Sequence, residues 1–446
     1  MQKLIIKNFR QITEATIEIR DLMFLIGEQA SGKSTIAKVV YFCKSLKQDF
    51  FDIITHLDKT DIQDVKRTLI TTIQNKFAKY FGYTTRYADD FEIVYYFSEE
   101  KDYYVKLYKA NSLQVRFSSD FWNEINNISR QAIYKAKKHK SQKYATFQLQ
   151  DQADKTLLSN LIEMTSDLFC DKRNTLFFPA GRNITVSYPE QFQLLFFGSI
   201  ATVPSSKASD VNTIDVTLMK EFFSYSKFLV DYFSDENHYL TTNSPLESYV
   251  KEKITYILQG TYKNDNGHER LFYQEESYVP LNLASSGQQE VIRLVQDLIY
   301  ILQENESTSR IIEEPETHLF PAAQVALVQL ITLVANYTGT QFIVTTHSPF
   351  IMTAFNNLLY YKKVMDVNTK AKNDVKEHFG TSSLNGMECE SVGIDPNKFQ
   401  AFALKTNGDT YCKSIFDKET NMIGDNYIDE FSETLYGDFD FMYSKI

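Results

Sequence analysis

Gly27-Glu28-Gln29-Ala30-Ser31-Gly32-Lys33-Ser34-Thr35 follows directly on an apolar run at residues 23–26. It leads into a stretch whose apolar face is built on Ile36, Val39, Val40 and Cys43. The segment meets G-x-x-x-x-G-K-[ST] at each required position, with Gly27, Gly32, Lys33 and Ser34 in place. Glycines let the backbone curl so that successive N–H groups face phosphate oxygens. Lys33 is expected to reach the β- and γ-phosphates of a nucleotide, and Ser34 to give its hydroxyl to Mg²⁺. The helix predicted from Gly32 to about residue 47 adds the positive end of its dipole. Strand, phosphate loop and helix in this order predict an α/β fold.

Far downstream stands Arg310-Ile311-Ile312-Glu313-Glu314-Pro315-Glu316-Thr317-His318. Two acids at the end of an apolar strand suit a metal and an attacking water. Glu313 is expected to hold Mg²⁺ through water, and Glu314 to polarise the nucleophile. Glu313 is one methylene longer than the aspartate more usual at such a place. The next strand, residues 341–344, ends in Thr345-Thr346-His347-Ser348-Pro349. His347, on the same edge as the glutamates, is expected to hydrogen-bond the γ-phosphate or the water. His318 is expected to meet a partner subunit or cap a helix.

Between these motifs, residues 48–80 and 119–172 read as helical, and residues 91–118 as an antiparallel meander of aromatic and β-branched runs. A short strand at residues 175–178 ends in Pro179-Ala180-Gly181-Arg182, which makes Arg182 a candidate for phosphate or interface contact. Residues 187–258 read as mostly helical and residues 269–283 as strands. From there to residue 360 the order is helix, strand, helix, strand, helix, the alternation of a mainly parallel sheet. Residues 361–446 read as irregular, with short strands near 400–416.

The 34 Phe and 28 Tyr argue against disorder over most of the length. A formal charge of -10 argues against coating nucleic acid through the overall field. A local basic run (Lys135, Lys137, Lys138, Lys140, Lys143, with Arg130 upstream) is read as a solvated helix face, with a nucleic-acid contact as the alternative. Cys43, Cys170, Cys389 and Cys412 lie far apart without CxxC spacing, which fits a reducing cytoplasm. Neither a signal peptide nor a membrane span is expected.

In order, LIIKNFRQI, GEQASGKST, ASSGQQE, IIEEPETHLFP and TTHSPF resemble the ABC-type, non-transporter AAA-family ATPases of the RecF/SMC/OLD group. The resemblance covers about half the chain. It implies an ABC-ATPase head with a mainly parallel sheet, an antiparallel β-meander and a compact helical insertion lobe. It also implies Mg²⁺-dependent ATP hydrolysis by Lys33, Glu314 and His347, with ATP cradled by residues 27–35. Ala284-Ser285-Ser286-Gly287-Gln288 takes the place of the signature, so Ser285, Ser286 and Gly287 would close over ATP held by another subunit. Ser286 departs from the glycine common in transporters. A homodimer, or a higher even-numbered homo-oligomer, follows from that arrangement.

The expected division is residues 1–120 as the first ATPase lobe and 121–280 as a mostly helical insertion. Residues 281–360 carry signature, carboxylates and His347, and 361–446 form a C-terminal extension. No sustained heptads mark a coiled-coil arm. OLD relatives carry a Toprim nuclease after the ATPase; here Asp438-Phe439-Asp440 is read as an acidic tail instead. The first expectation for biological role is control of a separate effector, nuclease or toxin, in anti-phage defence, similar to PARIS and Septu. The alternatives are a RecF-like DNA-repair ATPase and a nucleotide-gated scaffold with little turnover.

Overall fold

The computed structural model describes residues 1–56, 62–82, 90–141, 147–197, 213–240, 244–265, 267–367, 372–404 and 410–424. The basic run at residues 135–143, as far as its side chains go, and the acidic tail at 438–440 lie outside the described residues. By their internal contacts the described residues form two compact units. One holds Met1–Arg20, Ser34–Phe177 and the described part of Ala201–Leu218; the other holds Asp21–Lys33, the described part of Phe178–Ile200, and that of Met219–Ile446.

Strands β1 (Gln2–Phe9) and β2 (Ile12–Ile19) open the chain, followed by β3 (Leu22–Gly27) and helices α1 (Lys33–Thr55) and α2 (Ile62–Phe81). The meander is β4 (Glu92–Ser98), β5 (Tyr103–Lys109) and β6 (Leu113–Phe117). Helices α3 (Ser119–Ser141) and α4 (Phe147–Leu168) come next, then β7 (Thr175–Phe178), α5 (Ile184–Ser187), α6 (Pro189–Phe197), α7 (Ile214–Tyr232) and α8 (Pro245–Leu258). A ribbon of β8 (Thr261–Asp265), β9 (His268–Phe272) and β10 (Tyr278–Pro280) precedes α9 (Ser286–Glu304). The last core elements are β11 (Ser309–Glu313), α10 (Pro321–Thr338), β12 (Gln341–Thr346) and α11 (Pro349–Val367). After them come α12 (Lys372–His378), α13 (Gly386–Glu390), β13 (Phe399–Leu404) and β14 (Cys412–Ser414).

In the first unit the meander joins the opening hairpin into one antiparallel sheet, β2-β1-β4-β5-β6. Its inward residues meet the helices through phenylalanine. Phe9 of β1 lies 5.8 Å from Phe77 and 5.5 Å from Phe81, both on α2, and Phe42 of α1 lies 5.8 Å from Phe77. Each such ring, fully removed from water, contributes about 1.5–3 kcal/mol. Part of the aromatic load of the sequence goes into this cluster.

In the second unit β3, β12 and β11 lie side by side in parallel, with β13 on the other flank of β3 and β14 antiparallel beyond it. β3, β11, β12 and β13 are buried along their whole lengths, as strands covered on both faces must be. Phe24 of β3 stacks on Phe355 of α11 at 5.3 Å. The register pairs Ile26 with Thr346 and Glu313 with Thr345, so β3, β11 and β12 release their carboxyl ends at one edge. That edge is where ligands bind in open α/β sheets. The α/β class and the mainly parallel sheet are therefore as expected. Two local differences stand out. Helix α1 runs on to Thr55, and of the short strands expected near 400–416 one, β13, is a buried strand next to the phosphate-loop strand.

Candidate functional site

The phosphate loop turns through Ala30 at φ +62° and Gly32 at φ +91°, and Ser31 N–H donates to the Glu28 carbonyl at 3.2 Å. Left-handed residues in close succession make a concave nest of N–H groups that suits an anion. Gly32 is there because its φ favours a residue without Cβ. Glu28, Gln29 and Ala30 form the exposed tip, while Ser31, Gly32 and Lys33 are buried. Lys33 is 4% exposed, and its ammonium donates to the Gly27 carbonyl at 2.6 Å and the Glu28 carbonyl at 2.8 Å. Burial pushes its pKa down to about 8, against the pull of Glu314, Glu316 and Glu28. A polyphosphate would supply the counter-charge that these neutral carbonyls lack, so the cradle fits a nucleotide's anionic end. Ser34 and Thr35 begin the first full turn of α1, and the Thr35 hydroxyl accepts from the Gln11 amide at 3.2 Å.

At the ends of β11 and β12 the two glutamates separate. Glu313 is buried and accepts from Ala180 N–H at 3.3 Å. Glu314 leaves the strand at φ +44°, a conformation that costs a non-glycine residue about 1–2 kcal/mol. This turn aims its carboxylate at His347, whose Nε2 lies 3.0 Å from Glu314 Oε1. The other ring nitrogen, Nδ1, lies 3.2 Å from the Lys33 ammonium. Lysine can only donate, so Nδ1 accepts and Nε2 carries the proton, the neutral Nε2–H tautomer. Lys33, His347 and Glu314 thus form one hydrogen-bonded run. Glu316, which was not among the expected site residues, holds the run in place. Its Oε1 accepts from both Thr346 Oγ1 and His347 N–H at 2.7 Å. Its signal in the sequence was the third acid of Glu313-Glu314-Pro315-Glu316.

Arg182 is not a phosphate contact. Its side chain is 0% exposed, and the guanidinium donates to the carbonyls of Glu290 (2.9 Å), Pro179 (3.2 Å) and Glu313 (2.9 Å). The Glu290 carboxylate, also fully buried, lies 3.6 Å away and accepts the N–H groups of Arg182 and Asn183. Burial pushes the Arg182 pKa down, against Glu290 and the three glutamates of the 313–316 turn. The arginine therefore ties the first turn of α9 to the end of β11. An arginine wholly buried, with its donors turned to these internal acceptors, is not presented to a ligand.

Ser285 caps α9 in a capping box with Gln288 and, like Ser286, is exposed. Gly287 is buried against the turn after β11: a Cβ there would lie 2.5 Å from the His318 carbonyl oxygen. His318 itself sits at φ +59°, with its backbone against Gly287 rather than capping a helix. Among the described residues no hydrogen bond joins Ser285, Ser286 or Gly287 to the phosphate loop. The structure brings Lys33, Glu314 and His347 together and leaves the α9 start facing outward.

For a metal, no group of three or more His, Cys, Asp or Glu side chains is poised as a cage among the described residues. A magnesium ion carried in on phosphate needs no such cage, since it takes one or two protein oxygens and keeps its waters. The buried carboxylate of Glu313 has the chemistry for that role. No helix among the described residues is long and apolar enough to cross a membrane.

Residues 1–352 match the family described as AAA ATPase domain. No curated relative matches the chain. Among solved structures, the chain is similar to an SMC head bound to the C-winged helix domain of ScpA, with 13% identity, TM-score 0.38, and 79% of this chain and 90% of that one covered. It is also similar to the SMC head domain from Thermotoga maritima, with 13% identity, TM-score 0.35, and 79% and 90% covered. A third is an Smc head with an extended coiled coil bound to the C-terminal domain of ScpA, derived from Pyrococcus furiosus, with 14% identity, TM-score 0.30, and 79% and 92% covered.

Proposed function

The chain belongs to the AAA ATPase domain family, and from that premise we propose that it hydrolyses ATP with Mg²⁺ in a site completed by a second copy of itself. The observation that carries this reading is the run from Lys33 through His347 to Glu314. An ammonium, an imidazole and a carboxylate in one line at the edge of one sheet support the roles of phosphate-binding cation, polar switch and base. Residues 27–35 bind the triphosphate, and Ser34 with Glu313 holds the metal, which shields phosphate charge when bound. Glu314 takes the proton of the attacking water, and His347 orients that carboxylate and senses the γ-phosphate.

The outward start of α9 supports the composite site. Ser285 and Ser286 are exposed at the N-terminal end of α9, with Gly287 behind them, and a helix N-terminus is the end that captures an anion held by another molecule. Each site then needs pieces of two chains, so the assembly is a homodimer or a higher even-numbered oligomer. Light scattering on Glu314→Gln with and without ATP tests this. The expected result is an ATP-dependent doubling of mass. A monomer at saturating ATP with measured binding rejects the composite site.

For the biological role, we place the protein in the cytoplasm as the ATPase of an anti-phage system, its closure controlling a separate nuclease or toxin. The acidic charge of -10 and the lack of sustained heptads favour this over a DNA-loading role. Purification from the native host before and after phage challenge, with identification of what copurifies, tests it. Salt-sensitive, ATP-dependent DNA binding by the isolated protein would favour the RecF-like reading instead.

A further inference from the structure

The phosphate loop is gripped from outside by a residue that no motif includes. The Tyr411 hydroxyl donates to the Ser31 carbonyl at 2.6 Å. Tyr411 is 7% exposed and stands immediately before β14, which pairs antiparallel with β13. β13 in turn runs parallel to β3, with Leu404 opposite Gly27, so the hairpin reaches the loop at the point where the loop begins.

We infer that Tyr411 is a positioning residue for the phosphate loop, setting the orientation of the Ser31–Gly32 peptide and with it one donor of the anion nest. The peptide is planar and trans, so its C=O and N–H point in opposite directions. Fixing the Ser31 carbonyl on Tyr411 turns the Gly32 N–H away from Tyr411, toward the bound phosphates. Gly32, at φ +91°, carries one of the two dihedrals that set this peptide, and its lack of a Cβ also allows the peptide to flip. A flipped peptide would present an oxygen to an anion. The other polar groups of Ser31 hold it less firmly: its N–H reaches Glu28 at 3.2 Å and its Oγ meets the Lys33 ammonium at 3.4 Å. Burial and the nearby Cys412 push the Tyr411 pKa up to about 12, so the hydroxyl remains a donor at assay pH.

The inference rests on the reading that this loop holds ATP, and the test separates the two. ATP is titrated by calorimetry into the wild-type protein and into Tyr411→Phe, with melting followed in the absence of nucleotide. The expected result is a Kd raised about fivefold by the loss of one buried hydrogen bond, a KM raised in parallel, and a kcat within twofold. A wild-type protein that fails to bind ATP rejects the function. Wild-type binding with an unchanged Kd in Tyr411→Phe, even with a lower melting temperature, rejects the inference and leaves Tyr411 a packing residue. A kcat that falls with affinity overturns it as well. Hydrogen exchange on the wild-type protein decides the matter if the variant does not fold. ATP is expected to slow exchange at residues 410–414 together with the loop, and protection confined to the loop overturns the proposal.

Discussion

His347 Nε2 stands 3.0 Å from the Glu314 carboxylate, and the ring's other nitrogen faces the Lys33 ammonium. The proposed base is therefore in contact, through one imidazole, with the ammonium proposed to meet the phosphates. A change at either end alters what the ring can donate or accept.

Glu314→Gln removes the proposed proton acceptor and keeps the size. Turnover is expected to fall at least about hundredfold, the usual scale for a lost general base, while ATP still binds. Steady-state phosphate release and filter binding on one preparation check both halves. Unaltered turnover would assign the base elsewhere.

Lys33 makes the site pH-dependent. Its pKa lies near 8 in the folded chain and at 10.5 ordinarily. Between these values the unfolded chain keeps a proton that the folded one has released, so stability rises with pH across that window. The gain is up to about 3 kcal/mol. ATP restores the charge, so binding above pH 8 takes up a proton, and affinity falls up to about tenfold per pH unit. Calorimetry in buffers of different ionisation heat measures the uptake. Lys33→Met should abolish binding without lowering the stability of the nucleotide-free protein.

Arg182 and Glu290 should behave as a buried pair. Arg182→Met alone leaves a buried carboxylate uncompensated and is expected to cost about 3–5 kcal/mol in urea denaturation. Adding Glu290→Leu should recover part of that loss. Additive losses would show that the backbone contacts of Arg182, not the ion pair, dominate.

Glu316→Ala should leave the His347 N–H and the Thr346 hydroxyl without their acceptor. The expected result is a kcat reduced about tenfold, with ATP affinity changed less, as one buried hydrogen-bonding group is left unmade. Glu316→Gln keeps an oxygen at the same place and should rescue most of the rate.

The motif-bearing half of the site was legible because its chemistry is local: Gly32, Lys33 and Ser34 stand side by side, as do Glu313 and Glu314. What escaped depends on partners distant in the chain. Arg182 looked like a free cation after a strand, because its acceptor Glu290 lies 108 residues away. The short strand FQAFAL was legible but its place was not, because it pairs in parallel with a strand near the other end of the sequence. Glu316 was quoted but left idle, since nothing local says that its carboxylate faces a strand end reached only through α10.

The placement of β13 separates two boundaries usually taken as one. Family likeness stops at residue 352, but the sheet around β3 is finished only by residues 399–414. A chain cut where the likeness ends would bare the backbone edge of its own nucleotide-binding strand. Such an edge pairs readily with other chains. Aggregation of that fragment would then reflect a missing neighbour, and its inactivity would say nothing about the chemistry of the loop.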